Sequence, residues 1–133
     1  MTRPGISPKP QMIHKSSLVI RVEQIKGHCP VYRVGDSFRI VDGFRLACRR
    51  PVCLHSLASL MPYYVALSRG VSPVELGLAR EGEVAYLQCL DPCELTGGGT
   101  VVFSVKRGHC KVSPPATREK KRQKRGHRTA SPV

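Results

Sequence analysis

Six cysteines are the residues in this chain best suited to chemistry: Cys29, Cys48, Cys53, Cys89, Cys93 and Cys110. A thiolate is both a metal ligand and a nucleophile. Local spacing does not pair them strongly. Cys48 and Cys53 form C-x4-C, Cys89 and Cys93 form C-x3-C, and the paired C-x2-C knuckles of a zinc ribbon are absent. No C-x-x-C redox pair occurs either, which places metal binding ahead of thiol redox. Cys29, Cys53 and Cys89 come from three separate stretches and are the expected ligands of one shared site. A fourth ligand from Cys48, Cys93 or His55 would close a tetrahedral structural zinc site. Three thiolates alone suit an iron–sulfur cluster with one iron left open. An open iron is a Lewis acid, suited to desulfuration, dehydration or group transfer. The competing reading is that free cysteines pack in the core as small hydrophobes. Cys110, beside His109 at the start of the tail, reads as a free thiol.

Other catalytic signatures are missing. The chain has no G-x-S-x-G elbow and no H-E-x-x-H pair. Gly97-Gly98-Gly99-Thr100 precedes a strand pattern rather than a helix, so it reads as a flexible loop and not as a phosphate cradle. Asp36, Asp42 and Asp91 stand in turn contexts, where aspartate bonds its own backbone. The residues therefore name a site but no reaction.

The elements that must position the cysteines follow from periodicity. Residues 18–24 alternate, with Leu18, Ile20 and Val22 on one face, which predicts a half-buried strand ending just before Cys29. A turn at 34–37 leads into a second strand over 38–41, closed by Asp42-Gly43. Pro51 is suited to opening a helix that begins near Cys53. There the free backbone N–H groups would stabilise a thiolate. Leu57, Leu60, Tyr64 and Leu67 recur at helical steps, and Pro62 predicts a kink or a split. Gly70 should cap the helix, and Ser72-Pro73-Val74-Glu75 should open one more turn. Strands over 84–89 and 100–106 complete the pattern, the first ending at Cys89. The order predicts an α+β domain: a small antiparallel four-stranded sheet with a kinked or split helix on one face.

Three segments carry a resemblance. They are Lys26-Gly27-His28-Cys29-Pro30 with Val34-Gly35-Asp36-Ser37-Phe38, then Cys53 through Gly70, then Cys89-Leu90-Asp91-Pro92 with the strand 101–105. Together residues 18–107 resemble a family of small, uncharacterised bacterial and archaeal cysteine-containing domains. The resemblance singles out Cys29, Cys53 and Cys89. It departs at the helix motif, which has no Trp here and places His55 two residues after Cys53 instead of further along. It implies a fold and a residue trio, and no reaction.

The net charge of +13 is unevenly distributed. Residues 1–15 hold three Lys or Arg and no acid, and residues 111–133 hold eight against one Glu. Residues 16–110 hold eleven bases against eight acids and are nearly balanced. The high pI thus belongs to the ends, and both read as disordered: a basic arm at 1–15 and a basic tail at 111–133 flanking one domain at 16–110. A charge run such as 118–128 binds RNA, other nucleic acid or another acidic partner by counterion release, without sequence preference. That gives an alternative reading, a non-enzymatic interaction module working through its tails. No stretch reaches the roughly 18–20 apolar residues of a membrane span. The N-terminus has no apolar signal core, so a cytoplasmic protein is expected. There is no Trp and only 5% aromatic residues, so the core is thin and a metal staple would help it.

Overall fold

The computed structural model describes residues 16–108. The expected arm at 1–15 and tail at 111–133, with Cys110, lie outside the described residues.

Five strands form one antiparallel sheet: β1 (Ser17–Gly27), β2 (Ser37–Val41), β3 (Arg45–Ala47), β4 (Val84–Gln88) and β5 (Gly99–Gly108). The order across the sheet is β3-β2-β1-β5-β4. The long strands β1 and β5 pair centrally, from Ser17 against Gly108 to Gly27 against Gly99. Their alternation puts Leu18, Ile20 and Val22 on the same buried face as Val101, Phe103 and Val105. Between Val22 and Gln24 the register shifts, so that Glu23 is an extra residue in β1. This bulge moves Ile25 onto the core face, opposite Val101. Glu23 accepts a hydrogen bond from the Ser104 hydroxyl at 2.6 Å on the other face.

The four-stranded expectation is corrected to five. Asp42 and Gly43 both have positive φ. They turn the chain tightly enough that the Phe44 N–H reaches the Val41 carbonyl at 3.2 Å. Arg45–Ala47 then pairs back onto β2, with Ile40 opposite Leu46. This strand has three residues, all exposed at the sheet edge. It carries no buried alternation to betray it.

The helical layer is α1 (Leu54–Leu60) and α2 (Tyr64–Ser68), on either side of Pro62. Proline at 62 has no N–H to donate to the Ala58 carbonyl, so the expected helix is split. α1 lies against β4 and α2 against β1. Leu57, Leu60, Tyr64 and Leu67 all reach the core, as their spacing requires. Beyond α2, the Val71 N–H closes back on the Ala66 carbonyl at 3.1 Å. The 72–78 segment is a turn in which Ser72 Oγ accepts from the Val74 N–H at 3.2 Å. No helix among the described residues is long and apolar enough to cross a membrane.

Candidate cysteine site

Three chain ends meet at one edge of this fold. β1 ends at Gly27 opposite Gly99, the first residue of β5. β4 ends beside the same part of β5, where the Cys89 N–H donates to the Val101 carbonyl at 2.8 Å. The last turn of α1 is tied to this end, where the Ser59 hydroxyl donates to the Gln88 carbonyl at 2.8 Å. Cys29, Cys89 and Cys53 leave or enter these three elements. All three are half-buried against the core, and all three are free thiols.

A close crossing of two glycines makes this meeting possible. A Cβ on Gly99 would lie 2.5 Å from the His28 carbonyl carbon and 2.8 Å from the Cys29 nitrogen. A Cβ on Gly27 would lie 2.5 Å from the Gly98 oxygen and 2.8 Å from Cys93 Sγ. Only glycine fits at either position, and the chain leading to Cys29 passes through the gap.

Two of the sulfurs accept backbone hydrogen bonds. Cys29 Sγ takes the Tyr32 N–H at 3.3 Å, and Cys89 Sγ takes the Asp91 N–H at 3.5 Å. Hydrogen bonds to sulfur are one of the means by which a protein tunes a sulfur-bound metal. Cys53 is the residue before α1 and its side chain makes no cap bond. With only seven residues in α1, the helix dipole adds little there. The Cys53 main chain is instead tied to Tyr32, whose hydroxyl accepts the Cys53 N–H at 2.9 Å. The same hydroxyl lies 2.7 Å from Ser56 Oγ, which donates to the Cys53 carbonyl at 2.7 Å. The single Ser56 proton is thereby used, so the Tyr32 O–H donates to Ser56. Burial raises the pKa of Tyr32, and the nearby Cys53 and Cys29 thiols push in the same direction.

The other expected ligands are placed differently. Cys93 is buried, and its thiol points at the Lys26 and Gly98 carbonyls, 3.4 and 3.7 Å away. It sits under the glycine crossing as a packing residue. His55 is exposed on α1 and faces Asp91, whose carboxylate feels its charge. Asp91 is held below the usual carboxylate range first by the Thr96 hydroxyl and then by the Cys93 N–H. The Cys93 N–H contact spans two residues, the turn geometry expected of Asp91. Cys48 is exposed beyond β3, in the wall of a cleft that Tyr32 and Val52 also line.

Among the described residues, no group of three or more His, Cys, Asp or Glu side chains stands ready to hold a metal ion. Free thiols are the donor type that suits a soft metal. Tyr32, which ties Cys29 and Cys53 together, is the residue of this region that sequence reasoning missed. It is a lone aromatic in a loop, with neither periodicity nor a motif to mark it. Comparison with family models, curated proteins and solved structures finds no match to the chain.

Proposed function

We propose that this chain is a cysteine-site protein that binds zinc or an iron–sulfur cluster through Cys29, Cys53 and Cys89. The observation that supports this reading is that half-buried, free thiols stand just after β1, just after β4 and just before α1, with Cys29 and Cys53 both hydrogen-bonded to Tyr32. Cys29 and Cys89 also accept backbone N–H···S bonds, of the kind that surround metal-bound sulfur. Reduced thiols in this arrangement suit a cytoplasmic setting. The resemblance to small bacterial and archaeal cysteine-containing domains points to the same trio.

The test is anaerobic purification of the full chain, followed by metal and acid-labile sulfide analysis and an absorption spectrum. Stoichiometric zinc without colour, or iron and sulfide with a band near roughly 400 nm, is the expected result. The metal should be lost in each of Cys29→Ser, Cys53→Ser and Cys89→Ser, and kept in Cys48→Ser. A folded, colourless and metal-free wild type would overturn the reading. Binding to the charged ends would then be measured against salt, where the tail alternative expects a steep fall in affinity.

A further inference from the structure

The helical layer turns an uncharged side to solvent. Residues 51–68 contain no Asp, Glu, Lys or Arg. Leu57 and Leu60 of α1, and Tyr64 and Leu67 of α2, pack against the core. The other side of the layer carries Leu54, Ala58, Met61 and Val65, all exposed. Leu54 is 78% exposed, Met61 61% and Val65 42%. Single exposed apolar side chains are ordinary on a surface, but here the whole layer lacks charge. Its one cation stands at the end. Arg69 lies one turn beyond Val65, with its N–H on the Val65 carbonyl at 3.2 Å. Arg69 is exposed and has no acidic partner among the described residues.

The basic ends of the chain join the fold at this same place. The Ser16 N–H donates to the Ser68 carbonyl at 2.9 Å, and Ser17 pairs with Gly108. Residues 1–15, with three Lys or Arg and no acid, and residues 111–133, with eight against one, are therefore attached beside the end of α2. Each possible occupant asks something different of the face. A stable dimer buries roughly 800 Å² per partner, more than four side chains of this size offer. Single-stranded nucleic acid stacks its bases on aromatic platforms, and the tyrosines here, Tyr63 and Tyr64, are half-buried. An anionic bilayer needs only a shallow apolar side with basic groups next to it. We propose that the solvent side of the helical layer docks on an anionic membrane surface. Leu54, Met61 and Val65 enter the headgroup boundary, while Arg69 and the basic ends hold the lipid phosphates. The proposal does not depend on metal at the cysteine trio.

The chain has no Trp, so one introduced indole reports its own surroundings. Met61→Trp places it on the proposed face. Tyr86→Trp places it on the opposite side of the sheet, since Tyr86 is exposed between the buried Ala85 and Leu87. Each full-length variant is mixed with phosphatidylcholine vesicles containing about one-third phosphatidylserine. The fluorescence of Met61→Trp should shift to the blue and be quenched by brominated lipid tails, and that of Tyr86→Trp should do neither. Vesicle sedimentation then compares wild type with Leu54→Gln/Met61→Gln/Val65→Gln, whose fold is checked by circular dichroism. The triple variant should bind about tenfold more weakly, although its basic ends are intact. High salt should weaken the binding of wild type. The indole shift tests the face whether or not the triple variant folds. Absence of vesicle binding, equal affinity in a folded triple variant, indifference to salt, or equal shifts for the two indoles would each overturn the proposal. So would a Met61→Trp shift that grows with protein concentration without lipid, which would assign the face to a second copy. A larger shift with single-stranded RNA than with vesicles would overturn it in favour of nucleic acid.

Discussion

The hydroxyl oxygen of Tyr32 accepts the backbone N–H of Cys53 at 2.9 Å, joining the loop after Cys29 to the entry of α1. The same ring stacks on Phe38 at 6.3 Å and meets Phe103 edge-on at 5.6 Å. One side chain thus anchors the chain near two of the three cysteines and fixes both to the core. Tyr32→Phe keeps the ring contacts and removes the hydroxyl, leaving the Cys53 N–H unpaired. The expected loss is about 1–3 kcal/mol in chemical denaturation. An unchanged midpoint would show that water replaces the hydroxyl at no cost.

The pH dependence of the same residue has a definite sign. Its folded pKa is raised above the unfolded value of 10.0, chiefly by burial. The stabilisation is therefore complete below pH 10 and is lost as pH rises through the folded pKa. The difference in stability between wild type and Tyr32→Phe should be constant from pH 7 to 9 and shrink above pH 10. Denaturation midpoints of both proteins across that range check it. A difference that grows with pH would contradict the assigned burial.

Gly99→Ala tests the crossing that delivers Cys29 to the site. The new Cβ would meet His28 and Cys29 backbone at 2.5–2.8 Å, so main chain must move. Forced overpacking of this kind costs about 3 kcal/mol. Gly108→Ala is the control at the other end of β5, where the nearest atom is Val19 Cγ2 at 3.4 Å. The expected outcome is a large fall in thermal midpoint and in metal content for Gly99→Ala, with little change for Gly108→Ala. Equal midpoints for the two variants would show that the crossing is not tight in solution.

Periodicity made the frame legible. Leu18, Ile20 and Val22 announced β1, and Leu57, Leu60, Tyr64 and Leu67 announced the helical face, because each buries a repeating stripe. Pro62 announced the split, because a missing donor is a local fact. The strand Arg45–Ala47 escaped because it buries nothing. Tyr32 escaped because its partners, Cys53 and Ser56, lie more than twenty residues away in sequence. Cys29, Cys53 and Cys89 could be nominated from their places at element ends. The distinct role of Cys93 could not, since it depends on the glycine crossing above it.

Asp91 gives the opposite pH signature to Tyr32. Its folded pKa lies below the ordinary 3.8, first through the Thr96 hydroxyl and then through the Cys93 N–H. Its stabilisation is present above pH 3.8 and is lost as pH falls through the lower folded value. Asp91→Asn removes the charge, so wild type should be the more stable protein at pH 6 and the two should converge in acid. Parallel denaturation curves at pH 6 and pH 2.5 measure this. A gap that persists undiminished at pH 2.5 would assign the effect to packing and not to the carboxylate charge.

Cys93 separates a packing thiol from a ligand. It is buried at φ 54 beneath Gly27, with its sulfur directed at two carbonyl oxygens. Alanine there removes a weak donor and opens a space of about one sulfur atom, costing about 1–2 kcal/mol. Serine keeps a donor toward the same carbonyls and should cost less. Neither variant should alter metal content, because the Cys93 thiol is already engaged with the Lys26 and Gly98 carbonyls. Metal analysis and denaturation of the same preparations give both readings at once. Loss of metal with unchanged stability would instead make Cys93 the fourth ligand and the site a closed tetrahedron.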